Sequence, residues 1–191
     1  MSTGIPVSIA ELLQAFLNTT LFDTAYLHLG TGEVMFHNPR RHSEAQNEEI
    51  ETTIFSDEDW LEIPYLDSDE EHAEMAAFAH SISDEIAKSK LISALSADKP
   101  FRQFRAVLTA NPKIAQRWHI KRLEIAIKRA VEFCEAVDIA PEDPSWAALA
   151  ESVHQNRTQS TARQWLAKLP ASTAKKKSGR RPAGTKHKKQ I

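Results

Sequence analysis

Basic side chains flank a tryptophan in the stretch Pro100–Val137, where apolar residues recur at helical spacing. Wound at about 100° per residue, residues 117–135 place cations in two rows on either side of this tryptophan. Lysine and arginine bind phosphates, and an aromatic ring between them can stack on a base. The pattern therefore indicates a surface that could hold nucleic acid. The set comprises Arg117, Trp118, Lys121, Arg122, Lys128 and Arg129.

A second interpretation of the same cations comes from the acidic segment, which we define as residues 44–85. This segment carries fifteen Asp or Glu and no Lys or Arg. In a domain of this size the cationic helix could neutralise the acidic segment, with Trp118 packed beneath it. The acidic segment could also bind a basic protein partner. The sequence leaves these alternatives open.

The last 21 residues, 171–191, form a basic tail with eight cations and no acid. Their composition predicts disorder and attraction to phosphate. The Gly179-Arg180-Arg181-Pro182 core resembles the AT-hook, whose arginines lie in a narrow A·T minor groove. It departs from that pattern because two arginines, not one, separate the glycine from the proline. A solubilising tail is the alternative. The cations are Lys175, Lys176, Lys177, Arg180, Arg181, Lys186, Lys188 and Lys189.

Other chemistries find little support in the sequence. It contains no Gly-rich phosphate loop, no Gly-x-Ser-x-Gly and no Cys/His zinc spacing, and it has five glycines in all. The single Cys134 falls on an apolar stripe and excludes a disulfide framework. His28 and His37 lack placeable further metal donors, and Asp57-Glu58-Asp59 lacks the glycine of a calcium loop. We therefore expect no catalytic residues, no metal and no cofactor.

The first half of the chain predicts a helix followed by a small sheet. Ser8 begins a capping box ahead of a helix over Ile9–Leu17. Gly30-Thr31-Gly32 separates two β-prone runs, 24–29 and 33–37, which predicts a hairpin. Ile50–Phe55 and Trp60–Tyr65 are predicted as further strands, the latter stopped by Pro64. We expect an antiparallel sheet of three or four strands.

Helices dominate the second half. Asp67 or Ser68 caps a helix whose buried stripe should include Met75, Phe78, Ile82 and Ile86. A break at Pro100 and a turn at Asn111-Pro112 then introduce the long cationic helix. Its core-facing stripe is predicted to contain Ile120, Leu123, Ile127, Ala130, Val131 and Cys134.

Several spaced motifs carry a resemblance to a known family. YLHLGTGEV at Tyr26–Val34, WLEIP at Trp60–Pro64 and FRQF at Phe101–Phe104 occur in this order, ahead of the Pro112 turn. Together they resemble bacterial uncharacterised protein family 0158 over about residues 8–140. The resemblance implies a small bacterial α+β domain, and it supplies no activity and no catalytic residues.

We expect an α+β fold with three parts: a domain over residues 1–140, a helical extension over 141–170 and the basic tail. The extension predicts an αα-hairpin packed on the domain in preference to a helix-turn-helix, because its turn lacks glycine. The leading function hypothesis is a non-enzymatic bacterial cytoplasmic protein that associates with nucleic acid, DNA or RNA, through its tail. A protein-binding adaptor that uses the acidic segment is second, and a metal-dependent hydrolase is third. No membrane association is expected.

Overall fold

A computed structural model describes residues 2–169, and within them it contains eight helices and five strands. This combination confirms the α+β class. None of these helices is both long enough and apolar enough to cross a bilayer. The strands are β1 (Thr3–Ile5), β2 (Thr24–His28), β3 (Val34–His37), β4 (Trp60–Ile63) and β5 (Ile139–Pro141). The helices are α1 (Ile9–Asn18), α2 (Glu44–Phe55), α3 (Ser68–His80), α4 (Glu85–Leu95), α5 (Pro100–Thr109), α6 (Pro112–Ala136), α7 (Trp146–His154) and α8 (Thr158–Leu166).

Three strands form the predicted antiparallel sheet, in the order β3-β2-β4. Tyr26 in the central strand lies opposite Met35 on one side and Glu62 on the other. The hairpin prediction is confirmed, and β4 ends at Ile63, directly before the proline expected to stop it. Because side chains alternate between the two faces of a strand, this register directs Ala25 and Leu27 to the buried face.

The hairpin turn requires glycine at position 32. Gly32 has φ +70°, in the left-handed region. A Cβ atom there would lie 2.6 Å from the backbone carbonyl carbon of Pro6 and 2.6 Å from the backbone nitrogen of Val7. The absence of a side chain therefore lets the hairpin approach the segment between β1 and α1.

A separate parallel pair joins β1 to β5, with Thr3 opposite Ile139 and Gly4 opposite Ala140. The sequence analysis did not predict this pair. Each strand has only three residues, and the two strands are far apart in the sequence. No local sequence pattern therefore indicates that they pair. The pair holds the start of the chain against the end of α6.

The prediction of a strand over Ile50–Phe55 is wrong, because these residues belong to α2. The loop before α2 ends at Ser43. Ser43 and Gln46 form a capping box, with the serine Oγ accepting from the Gln46 backbone and the glutamine side chain accepting from the Ser43 backbone. The cap starts a helix in which Ile54 alone is buried, so hydrophobic periodicity could not reveal it.

The prediction that Ile86 continues the buried stripe of α3 is also wrong, because its side chain is 72% exposed. Helix α3 ends at His80, and Asp84 begins a new helix by accepting from the backbone nitrogens of Ile86 and Ala87. Met75, Phe78 and Ile82 are buried as expected. The chain turns between the two helices, so residues beyond Ile82 follow a different axis.

Two hydrophobic clusters share the long helix α6. The first packs its C-terminal half against α1, the inner face of the sheet, α7 and α8. The predicted stripe lies there, with Leu123, Ile127, Ala130, Val131 and Cys134 buried and Ile120 partly buried. The second cluster packs the N-terminal half of α6 against α3, α4 and α5, around Phe104.

Helices α7 and α8 contact each other and pack on α6, so the predicted extension is helical. Leu149, Ala162 and Trp165 contribute to the first cluster, and Leu169 packs against its edge. Asn156, in the turn between the two helices, has a positive φ of 53°, which asparagine tolerates better than most residues.

Gly32→Ala should lower the free energy of unfolding by more than about 2 kcal/mol, because it combines a left-handed φ with a backbone clash. Gly30→Ala is the matched control. Its Cβ would meet the His28 ring at 3.2 Å, which a side chain can relieve, and its φ is not positive. Urea denaturation of both variants measures the difference. Equal losses would contradict the role assigned to Gly32.

Candidate functional site

Three of the cations predicted to bind phosphate occupy the flanks of α6 in different settings. Lys121 Nζ lies 3.3 Å from a carboxylate oxygen of Glu74 on α3. Lys128 lies 3.7 Å from Glu132, one turn further along the same helix, and both side chains are more than half exposed. Arg117 is exposed and donates at 3.4 Å to a backbone carbonyl just after α3. Lys128 and Arg117 are thus the more accessible members of this set.

The two remaining cations anchor α6 to its neighbours through backbone carbonyls. Arg122 donates to the carbonyl of Leu17 near the end of α1. Arg129 donates through Nη2 to the carbonyl of Pro64, directly after β4, at 2.9 Å. The Arg129 guanidinium also lies 5.5 Å from the centre of the Phe16 ring, an arrangement that favours a cation–π contact. Each arginine therefore supplies a hydrogen-bond donor to a backbone carbonyl that has no other donor among the described residues.

Burial lowers the pKa of the Arg122 guanidinium, and the Glu71 carboxylate opposes that shift. Burial likewise lowers the pKa of Arg129, with Glu70 acting against it. Arginine still carries its charge at neutral pH. Both carboxylates belong to α3, within the acidic segment, so this geometry supports internal neutralisation. Phosphate binding by these cations stays a prediction.

The prediction that Trp118 lies on the cationic face is wrong. Its side chain is 6% exposed and belongs to the second cluster. The ring lies 5.0 Å from that of Phe78 and 5.3 Å from that of Phe104, centre to centre. Phe78 belongs to α3 and Phe104 to α5, and these two helices cover the face of α6 on which Trp118 lies. No open ring face is therefore presented to a base.

A groove of about 700 Å³ runs between α3 and α6 and ends at the turn before α8. Its walls carry both signs of charge, since Glu70 and Glu74 of α3 face Lys121 and Lys128 of α6. A groove with mixed walls has no strong net attraction for a polyanion. It is less suited to nucleic acid than the sequence pattern of α6 alone indicates.

Helix α2 presents a second surface, on which all the charged side chains are negative. Glu44, Glu48 and Glu51 follow one another at spacings of four and three residues, and Phe55 comes four residues later. These spacings align all four on one helical face, which we call the α2 stripe. The stripe borders an open groove of about 820 Å³ whose opposite side is formed by the segment Pro39–His42. Phe55 is 81% exposed.

The fold also brings His28 of β2 to Asp57 and Asp59 in the turn before β4, with one potential ligand atom of each within 4.8 Å of the others. His28 Nε2 lies 3.0 Å from an Asp57 carboxylate oxygen. The sequence analysis considered His28 and these aspartates separately and could not join them. The strand pairing supplies the contact, because β2 and β4 are neighbours in the sheet.

Hydrogen bonds assign this cluster a structural role. His28 Nδ1 accepts from the backbone nitrogens of Gly30 and Thr31, both at 3.1 Å, so that nitrogen carries no proton. The proton of the neutral ring is then on Nε2, which donates to Asp57. A histidine that ligates a metal usually donates its other ring nitrogen's proton to an acceptor. Here the other nitrogen is an acceptor itself, so ligation through Nε2 would require an imidazolate.

The eight cations predicted to bind nucleic acid in the basic tail lie outside the described residues. The AT-hook resemblance at Arg180 and Arg181 lies there too. Within the described part, Cys134 is fully buried, and burial raises the pKa of its thiol to about 12. It therefore behaves as the small apolar residue that the sequence predicts.

Comparison with known proteins gives one finding. A family model described as Uncharacterised protein family (UPF0158) matches residues 5–149. The match includes all three motifs that carry the resemblance and extends from β1 into α7. No curated protein and no solved structure matches the chain.

Replacing Arg122 and Arg129 together by Gln should lower the free energy of unfolding by roughly 2 kcal/mol, because two charge-assisted hydrogen bonds to carbonyls are lost. The matched control is Arg117→Gln with Lys128→Gln, which removes the same charge from exposed positions and should change stability by less than about 0.5 kcal/mol. Affinity for duplex DNA should be equal in the two double variants. A lower affinity with a shallower salt slope in the first variant would favour phosphate binding.

Asp57→Ala should make the protein less stable than wild type at neutral pH, and the difference in stability should disappear at acidic pH. The backbone N–H of Asp59, and then His28, lower the pKa of Asp57 below its ordinary 3.8. Because the pKa of Asp57 is lower in the folded chain than in the unfolded chain, the ionised carboxylate stabilises the fold at any pH above the unfolded-state pKa. That contribution disappears as the pH falls through the folded-state pKa. The melting curves of wild type and variant should therefore begin to converge as the pH falls below about 4, and coincide only below the lowered pKa of Asp57.

Divalent metal provides the control for this prediction. Added Zn²⁺ or Mn²⁺ should leave the melting temperature of both proteins unchanged. A rise in wild type that is absent from Asp57→Ala would contradict the structural role and restore the metal-dependent hypothesis.

Proposed function

The chain belongs to Uncharacterised protein family (UPF0158), and because that description carries no activity, we propose from its charge distribution that it associates with nucleic acid through the basic tail. The observation that carries the proposal is the eight cations and no acid within residues 171–191. The protein would act by binding and not by catalysis, in the bacterial cytoplasm. DNA and RNA are both candidates, since phosphate attraction does not distinguish them.

Charge in the rest of the chain supports placing the binding in the tail. Because the whole chain carries −2 and the tail +8, residues 1–170 carry −10. On α6, Arg122 and Arg129 are engaged with backbone carbonyls and Lys121 with a carboxylate. A folded part with this balance should repel a polyanion at low salt. The tail is then the segment able to release counterions from the phosphates.

Arginines in the tail could add a preference among duplexes. A narrow A·T minor groove concentrates negative potential and attracts inserted arginine. Arg180 and Arg181 stand between a glycine and a proline, as in the motif that they resemble. Arg180→Ala with Arg181→Ala should then weaken binding to A·T-rich duplexes more than to G·C-rich ones.

A protein-binding adaptor remains the second proposal, and one observation favours it. The α2 stripe places three exposed carboxylates and an exposed phenylalanine along one face. An aromatic side chain inside a charged patch is a common anchor at protein interfaces. A basic partner protein could use this surface without any contribution from nucleic acid.

A chain ending at Pro170 should keep the melting temperature of the full chain and lose its affinity for duplex DNA and RNA. The described core lies within residues 2–169, so truncation removes none of its contacts. If all eight cations contact phosphates, the affinity of the full chain should fall about 10⁴-fold between 50 and 200 mM salt. Fluorescence anisotropy at several salt concentrations measures both effects.

The control is a full-length chain in which the eight tail cations are replaced by Gln, which keeps the length and removes the charge. It should bind as weakly as the truncated chain. Equal affinity of the truncated and intact chains at matched salt would refute the proposal and favour the adaptor.

A further inference from the structure

Helix α2 is weakly integrated into the fold. Of its twelve residues, all within the described part of the chain, Ile54 alone is buried. Its N-terminus is secured by the Ser43 capping box, and His37 reaches it through a 3.2 Å contact between Nε2 and the Asn47 side-chain oxygen. Phe55 at its other end is the most exposed large apolar side chain among the described residues. On the face that carries the α2 stripe, Glu51 lies 3.8 Å from His37 Nε2, and Glu44, Glu48 and Phe55 make no ion pair or aromatic contact among the described residues.

The groove beside the stripe contains an unsatisfied polar atom. His42 Nδ1 is buried and makes no hydrogen bond among the described residues. The His42 ring stacks on that of His37 at 6.1 Å, which holds it against the edge of the sheet. A buried nitrogen without a hydrogen-bond partner costs free energy, and a polar group could reach it only if the groove opened further.

We propose that the α2 stripe is the docking surface for the chain's own basic tail. Charge complementarity argues for this occupant: the stripe offers three carboxylates, and the tail is a cationic segment without a single acid. Phe55 complements an arginine, because a guanidinium gains by lying over an aromatic ring. The same protein already uses this contact, with the Arg40 guanidinium 3.9 Å from the centre of the Phe22 ring.

The tail is long enough to reach the stripe from the end of the described chain. An extended segment from Leu169 to Arg180 spans about 36 Å, at about 3.3 Å per residue. A compact domain of this size has a radius of gyration of roughly 15 Å. Arg180 can therefore reach a large part of the domain surface, and the cations beyond it, up to about 66 Å from Leu169 in an extended chain, can reach the rest, α2 included.

Docking of the tail would regulate the proposed function, and this consequence rests on that proposal. The stripe and a nucleic acid would compete for the same cations, so the folded part would act as a weak internal competitor. The docking itself does not depend on nucleic acid. The two ideas can therefore fail separately.

A spin label on the tail tests the docking in the full chain. Ser178→Cys places a single reactive thiol beside Arg180, because buried Cys134, with its raised pKa, does not compete for the reagent. In 50 mM salt the label should broaden the amide signals of α2 in a ¹⁵N spectrum at least twofold more than those of α5. The broadening should disappear in 0.5 M salt, where the Debye length falls to a few ångströms.

The stripe variant carries Glu44→Gln, Glu48→Gln and Glu51→Gln, and a second variant carries Phe55→Ala alone. The matched control replaces three exposed acids outside α2, Glu33, Glu58 and Glu151, by Gln. The stripe variant should lose the broadening on α2, Phe55→Ala should reduce it, and the control should retain it. All substituted side chains are exposed, so melting temperatures should stay unchanged.

Three outcomes would overturn the proposal: no selective broadening of α2, equal losses in the stripe variant and the control, or broadening that arises when labelled chains are mixed with unlabelled ¹⁵N chains. The third would assign the surface to a second copy. Duplex affinity separates the two ideas, since relief of competition from a half-formed contact should raise it about twofold in the stripe variant above the control. Selective broadening without any DNA or RNA binding would leave the docking intact and remove the proposed function.

Discussion

Helix α6 must bury opposite faces at its two ends, and much of the structure depends on this constraint. Trp118 and Ile127 are nine residues apart, about two and a half turns, so they point in opposite directions. Trp118 enters the cluster formed with α3 and α5, while Ile127 enters the cluster formed with α1 and α8. The flanks of the helix are left between the two clusters, and Arg122 and Arg129 lie there. Long side chains suit such positions, because their stems pack on apolar neighbours while their heads reach nearby carbonyls. The basic rows follow from the packing.

This constraint also explains where sequence reasoning succeeded and where it failed. A helical projection assumes one buried face, and for α6 it found the stripe around Ile127 correctly. It could not decide whether Trp118 is exposed between the basic rows or packed beneath them, because the partners of that ring, Phe78 and Phe104, belong to helices whose positions no local pattern reveals. Helix α2 was missed because its sequence signal is a capping box and it has no apolar stripe. The hairpin was predicted well because glycine at position 32 is a local requirement of the turn.

The cluster around His28 illustrates the same limit for a candidate site. Asp57 lies 29 residues from His28, and only the pairing of β2 with β4 brings their side chains together. Residue types alone would suggest a metal site. The hydrogen bonds suggest otherwise, because the turn after β2 directs two backbone N–H groups at His28 Nδ1. A sequence can propose the donors, but the tautomer of the ring is decided by the backbone around it.

The folded part and the tail carry opposite net charge, −10 over residues 1–170 and +8 over residues 171–191. At physiological salt the Debye length is about 8 Å, so the carboxylates of α2 can act on the tail only near contact. Tethering would compensate for this short range, since a short linker gives an effective concentration in the millimolar range. A contact with a dissociation constant of about 1 mM, roughly 4 kcal/mol, would then be half formed. Three carboxylates and one aromatic ring are of the right strength for such a contact, and a polyanion with many phosphates would displace it. Weak internal docking is thus compatible with tight and salt-dependent binding of nucleic acid by the same residues.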